Sequence, residues 1–516
     1  MHSWWIGAFV VLAAISGCSS PTPAGDGGPN APDTNTPRPD TGPPVMAPDA
    51  GPPPAHCDPT PLADVSHPTQ TIGDGTAGSC TEAALRAAAT AGGVIVFHCG
   101  AAPVTITVTS AITFTHETVI DGGGTVTLSG GGTSRILYLD SDYNTTTPRL
   151  TVQNLTFTGG HSTRMTEDTD GGGAAIYRDG GSLTVVDSIF DGNHAPDTGQ
   201  DLAGGAIYAF GGGETVISGC TFSNNSASDG GAVGSLNGDL TIVNSTFTAN
   251  QARGTGGNPG DGGCGGAVYQ DGRDEPTHFC GVTIRGNSAG AIGGGVFRVS
   301  NDHTGSWAMD RSTVDMNTVT ATDSGNAGGL YLEGLAIQIT NSTISRNSGA
   351  YCGGLWLSTA TVMMVNDTIA ENTATVSNGG GIWLAHSPTG TMTNCTIANN
   401  HAVGDGVVAG GIFGMGLTLT NTLIVNNTAM YRPTCDVMHE SGGGNVQWPS
   451  GGTTTSCTDS PHVADPMLGA LGDHGGDTEV MIPGAAAAGQ GVGCPPTDQL
   501  GMPRATACTA GAVEVP

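Results

Sequence analysis

The chain has no lysine. Its 14 basic residues are all arginine, which excludes a Schiff-base enzyme and a P-loop lysine together. Charged residues make up only 11% and aromatics only 5% of the 516. The apolar run over residues 6–15 is too short to cross a bilayer as a mature helix. Carboxylates outnumber arginines enough to give a net charge of -30 and a pI near 4.4. Duplex nucleic acid, which is held through basic patches, is therefore excluded as a partner. Glycine is abundant, at 86 residues, but it never recurs at every third position, so the chain is not collagen. Charge is too sparse for a disordered chain and leucine too sparse for a helical one. Ser, Thr, Asn and Gly fill the difference, and they favour strands, turns and stacked coils.

The N-terminus reads as targeting sequence. Ile15-Ser16-Gly17-Cys18 follows the short apolar run and resembles the lipobox of bacterial lipoproteins. That resemblance implies removal of residues 1–17 as a signal peptide, acylation of Cys18, and attachment to a membrane through lipid. Residues 18–56, in which Pro recurs with Gly, Asp, Thr and Ala, read as an extended tether. Residues 57–149 read as an N-terminal cap and first coils. Thr81 is the expected N-cap of a short Ala/Leu helix that Gly92 and Gly93 stop.

Residues 150–430 repeat. Ten copies of an Asn-Ser-Thr-Phe-x-x-Asn-like element recur about 30 residues apart. Clear examples are Asn244 to Phe247 with Asn250, Asn341 to Ile344 with Asn347, and Asn394 to Ile397 with Asn400. Each copy is joined by a Gly-Gly-small-aliphatic element, such as Gly204-Gly205-Ala206-Ile207, and by a short alternating strand, such as Leu417 to Thr420. One such unit buries almost nothing. Stacked at ~4.8 Å, equivalent apolar positions lie above one another and make a continuous core. The pattern predicts an all-β fold, a right-handed parallel β-helix of about ten coils with a short N-terminal capping helix. The recurring Asn suits left-handed corners and amide stacking along the axis.

The Gly-Gly-Ala-(Ile/Val) and Phe-x-x-Asn pairing resembles the repeat of chlamydial polymorphic outer-membrane proteins. The tail, residues 431–516, holds further coils and a segment similar to the choice-of-anchor Q module of bacterial surface proteins. The matching residues are Asp465-Pro466, Asp473 to Thr478, Pro483-Gly484, Asp498 to Arg504 and Gly511 to Glu514. Where that module has Ser-Pro-Ala-Ile-Asp, this chain has Ala485 to Ala488. The resemblances imply a cell-surface, outer-membrane lipoprotein more than they imply an activity.

One periodic feature exceeds the needs of folding. The residue after the Gly-Gly aliphatic is aromatic in eight of nine copies: Tyr177, Tyr208, Tyr269, Phe297, Tyr331, Trp356, Trp383 and Phe413. Gly234 is the exception. Because strands alternate faces, these rings form one outward stripe. It is either a self-stacking ladder under turn loops or a platform for sugar rings and a partner's apolar groups. The loops entering these strands carry Glu167, Asp168, Asp170, Asp197, Asp201, Asp229, Asp261, Asp323 and Asp405. They could hold Ca²⁺ or meet a cationic partner; no other cofactor is indicated. Twelve cysteines follow Cys18. Proximity suggests Cys80–Cys99, Cys264–Cys280, Cys435–Cys457 and Cys494–Cys508, with Cys220 and Cys395 as buried fillers. Arg178 with Asp179, Arg273 with Asp274 and Glu275, and Arg298 are the residues that a lyase or hydrolase reading would use. No catalytic set stands out. The expected function is a surface scaffold for adhesion or for binding a glycan or cell-surface protein, with carbohydrate cleavage or a structural envelope role as alternatives.

Overall fold

The computed structural model describes residues 57–163, 171–449 and 456–515. Expectations for the signal, Cys18, the tether and Glu167, Asp168 and Asp170 fall outside the described residues. The rest is a parallel β-solenoid of about 12 turns. The two turns beyond the expected ten come from residues 93–158. Strands there (Gly93–Phe97, Val104–Thr107, Thr118–Ser129) already pair in parallel with each other and with Arg149–Thr158, although the repeat signature begins only in the last of them.

Each coil contributes to three sheets of 26, 11 and 7 strands. One coil illustrates the plan. Leu240–Val243 and Thr246–Thr248 lie in the long sheet, Gln251–Ala252 in the short sheet and Val268–Gly272 in the third. Register is strict, with Val268 beside Val233 and Val296 and with Phe247 beside Phe222 and Ile284. Equivalent side chains therefore stack inside. Phe157, Phe190, Phe222 and Phe247 stack with centroids 4.7–4.8 Å apart and planes within 6°, each pair adding ~1 kcal/mol to its area burial.

The recurring Asn proves to be two residues with two roles. The leading one (Asn154, Asn244, Asn341, Asn366, Asn394, Asn421) has φ of 47–57° and turns the corner between the two strand rows of the long sheet. The trailing one is buried and forms an unbroken amide ladder: Asn193, Asn225, Asn250, Asn287, Asn317, Asn347, Asn372, Asn400, Asn427. Each amide donates to the next at 2.9–3.0 Å and also to a main-chain carbonyl of the preceding coil.

The capping helix is Glu82–Ala91. Thr81 accepts the Ala84 N–H at 3.3 Å, Gly92 ends the helix at φ 66°, and Leu85, Ala88 and Ala89 close the apolar end of the first coils. The disulfides Cys80–Cys99, Cys435–Cys457 and Cys494–Cys508 form as expected, and Cys220 and Cys395 are buried thiols. Cys264–Cys280 does not form. Cys264 lies on a loop over the third sheet, whereas Cys280 ends a strand of the long sheet and bonds Cys57 instead, 223 residues away in sequence.

That bond begins a strap. Residues 57–69 run back along the leading-Asn corner. Asn244 donates to the Cys57 carbonyl at 2.9 Å, the Thr60 N–H donates to Ser218, and the Ala63 N–H donates to Gln153. The C-terminal segment covers the same corner further along. Gln499 bridges Ser342, Thr343 and Thr368, Arg504 bonds Asn366 at 2.9 Å, and the Thr509 carbonyl accepts from Asn394 at 3.0 Å.

Candidate functional site

The aromatic row lies on the outer face of the third sheet. The aliphatics before the rings, Ile176 to Ile412, belong to the interior core, while the rings form a separate cluster. Tyr138, Tyr177 and Tyr208 follow one another at 5.4 and 5.9 Å. After a break, Tyr269, Phe297, Tyr331, Trp356, Trp383 and Phe413 follow at 4.3–5.7 Å.

The alternation reading is right about direction, and of its two alternatives the structure has the self-stacking ladder under loops. Tyr177, Tyr208, Tyr269, Phe297, Tyr331 and Trp356 are at most 3% exposed and Trp383 9%; Tyr138 and Phe413, at the two ends of the row, are half-buried. Ala203, Cys264, Ile292, Ala327 and Cys352, on the loops that lead into the strands, pack in the same buried cluster as the rings. These small residues fit against the rings, and the ladder is a second apolar core.

The break falls at Gly234. A Cβ there would stand 2.9 Å from the Tyr208 ring, in the space the ring edge already fills. Phenol hydroxyls and carboxylates gather at this point. Tyr269 Oη donates to Asp201 at 2.6 Å, and Asn258 Nδ2 donates to Tyr269 Oη and to Asp271 at 2.6 and 2.8 Å. Asp229 Oδ1 accepts the Cys264 N–H at 2.8 Å. Asp201 and Asp229 came from the acidic-loop reading; Asp271, Asn258 and Ser228 did not. The missing aromatic at position 234 was the available signal. Burial pushes the Asp201 carboxyl up to about 6 and holds Asp229 well above the carboxylate range, with neighbouring carboxylates adding to both. Asp197, by contrast, pairs with Arg253 at 3.3 Å on the surface, and Asp261, Asp323 and Asp405 are exposed.

Of the arginines offered for catalysis, Arg178 and Arg298 are occupied, whereas Arg273 is exposed. Arg178 is wholly buried and donates to the carbonyls of Gly181 and Gly211 at 2.7 and 3.0 Å. Arg298 donates to those of Glu333, Glu275 and Ser306. Both replace an aliphatic on the inward side of their strands and tie the turns that follow; burial pulls both guanidinium pKa values to about 10. Arg273 and Asp274 stand beside Glu275, which accepts the Arg273 N–H at 2.6 Å. Two partly buried arginine–carboxylate groups fasten the C-terminal segment: Arg346 bridges Asp315 and Glu479, and Arg311 bridges Asp310 and Asp477.

On the loop edge of the last coils the surface becomes apolar. Val376, Val403, Met430 and Tyr431 are each about half exposed and sit on successive coils just beyond the short sheet. The Val403 N–H donates to the Ala374 carbonyl and the Tyr431 N–H to the Val407 carbonyl, so the group spans neighbouring coils.

This is the class of right-handed parallel β-helix proteins. The family described as right handed beta helix region matches residues 266–446. No curated protein matches the chain. Among solved structures it is similar to PfbA, a surface adhesin of Streptococcus pneumoniae, at 10% identity over 72% of this chain and 92% of that one, with a TM-score of 0.38. It is also similar to tailspike protein 3 of bacteriophage CBA120, at 14% identity over 72% of this chain and 61% of the other, with a TM-score of 0.28.

Proposed function

We propose that the chain is a surface-anchored binding scaffold. It is held to an outer membrane by the acylated Cys18, and the loop edge of its solenoid recognises a glycan or a cell-surface protein. The observation that carries this reading is the placement of the two terminal segments. The N-terminal strap and the C-terminal module both lie on the leading-Asn corner. A tether leaving at Cys57 would turn that corner toward the membrane and the loops above the ladder away from it. The exposed apolar group Val376, Val403, Met430 and Tyr431 is the part of that edge best suited to contact.

The test is size-exclusion chromatography of the mature chain with neutral and acidic polysaccharides and with whole cells' surface extracts. Co-elution with intact polysaccharide, lost in a Val403→Asp, Tyr431→Ala double variant, supports glycan recognition at this edge. Shortened polysaccharide would replace the binding reading with a carbohydrate-cleaving one. Retention of every ligand by the double variant would refute the assigned surface.

A further inference from the structure

Loops of three successive coils meet above the Gly234 break, and oxygen atoms line the space between them. Ser228 Oγ donates to the Gly199 carbonyl at 2.7 Å and lies 3.3 Å from the Asp261 carbonyl. Gly262, at φ +74°, is left without a side chain here. The point its Cβ would occupy lies 2.8 Å from Asp229 Oδ2, 2.9 Å from the Gly199 carbonyl oxygen and closer still to Ser228 Oγ. Three oxygens from two chain segments, residue 199 and residues 228–229, thus converge beside Gly262.

Two buried polar atoms there have no hydrogen-bond partner. One is Asp229 Oδ2, whose twin oxygen is satisfied by Cys264. The other is Tyr208 Oη, on a side chain that is wholly buried. The Tyr208 ring stands beside Gly234 and Ala203, and Ala203 pairs with Asp229, so the ring packs next to the Asp229 loop. The charges that act on Asp201 and Asp229 are other carboxylates. Burying carboxylates without a counter-charge costs several kcal/mol each, and a divalent ion would remove that cost.

We infer that this chamber binds one Ca²⁺-class divalent cation through Asp229, Ser228 and the Gly199 and Asp261 carbonyls, with Asp201 and Tyr208 beside them. An all-oxygen, carbonyl-rich set on loops suits Ca²⁺; Mg²⁺ needs rigid octahedral ligands and Zn²⁺ prefers nitrogen and sulfur. The ion joins the loop at 195–203 to the loop at 254–263 and so holds the cover over the middle of the ladder. This inference is independent of what the loop edge recognises.

The test uses the full chain after exhaustive chelation. Equilibrium dialysis with Ca²⁺ and tyrosine-sensitised Tb³⁺ luminescence count tight ions, and thermal melting with and without Ca²⁺ reads the coupling to folding. The expected result is one tight ion per chain and a Ca²⁺-dependent rise in Tm. Asp229→Asn is expected to abolish both. Tyr208→Phe, which keeps the ring, is expected to weaken the ion roughly tenfold, whereas Asp323→Asn on an exposed loop leaves it unchanged. A wild-type Tm indifferent to Ca²⁺, together with a raised Tm in Asp229→Asn, would overturn the inference, because it would show a buried charge relieved and no ion lost. A tight ion retained at full affinity by both Asp229→Asn and Tyr208→Phe would overturn it as well, because the ion would then lie elsewhere.

Discussion

Replacing Asn317 by Ala removes a middle rung of the amide ladder. Asn317 Oδ1 accepts the Asn287 N–H and Asn287 Nδ2, each at 3.0 Å. Its own Nδ2 donates to the Ile284 carbonyl at 2.9 Å and to Asn347 Oδ1 at 3.0 Å. Four buried bonds at about 1 kcal/mol net each give about 4 kcal/mol, and the orphaned Asn287 N–H prevents the loss from being smaller. The last rung is a built-in comparison. Asn427 accepts twice from Asn400 and donates to the Ile397 carbonyl, so Asn427→Ala should cost about 3 kcal/mol on the same count. Solenoid stability is a sum of coils and their interfaces, so the assay is residue-resolved native-state hydrogen exchange. Amides on the coils around Asn317, led by Asn287, should exchange roughly 10³-fold faster, with coils near Asn193 unchanged. A change below about 1 kcal/mol, or an equal loss along the whole chain, would refute the additive ladder.

Gly234→Ala should destabilise by about 1–3 kcal/mol in chemical denaturation, because the new methyl meets Ala203 and the Tyr208 ring; an unchanged midpoint would show that the loops yield. Trp356→Ala should cost about 3–5 kcal/mol, since the ring is 3% exposed between Tyr331 and Trp383. Calorimetry checks the loss, and a neutral result would mean that the ladder is only loosely covered. Burial lowers the His439 pKa to about 4, below its unfolded value near 6.5. The neutral ring therefore stabilises the fold fully above pH 6.5, and that contribution drains away as pH falls toward 4, by up to about 3 kcal/mol. A His439→Phe variant should lose this part of the acid sensitivity, as followed by melting between pH 7 and 4. Cys57→Ser should free residues 57–69 for proteolysis at Tm values close to wild type; protection at wild-type level would show that Asn244, Ser218 and Gln153 hold the strap unaided.

What could be read in the sequence was whatever repeats. Stacked coils write the same local demand at every turn, so Phe157 to Phe247, the Gly-Gly strands and Thr81 as an N-cap announced themselves. The outward direction of Tyr177 to Phe413 followed from alternation alone. Their burial did not, because it depends on how loops of unequal length fold back, and Ala203 or Cys352 looks like any small loop residue until it lies on a ring. Pairing Cys280 with its near neighbour failed for a related reason: closeness along a coil says nothing about which side of the coil a residue occupies. The two jobs of Asn were merged because both kinds recur at one period. The strap and the C-terminal segment are single-copy contacts, such as Gln499 with Thr368 across 131 residues, and no periodic signal carries them. The acidic chamber was half visible, through Asp201 and Asp229; its position was marked by the one residue that broke the aromatic rule.

The Cys57–Cys280 bond gives the molecule a mechanical character. A pull on the chain ahead of Cys57 does not reach the capping helix or the first coils, where an end could peel away one strand at a time. It enters at Cys280, within the stack, through a covalent link. The load is then shared by coils on both sides, whose main-chain bonds must slip together instead of opening in sequence. Reduction of that single bond would move the point of attack to the strap at residues 57–69 and then to its pairing at Gln70–Ile72, turning a rivet into a zip. Pulling on single molecules by the N-terminus, with and without reductant, would read the two regimes as a high, abrupt rupture force and a low, stepwise one.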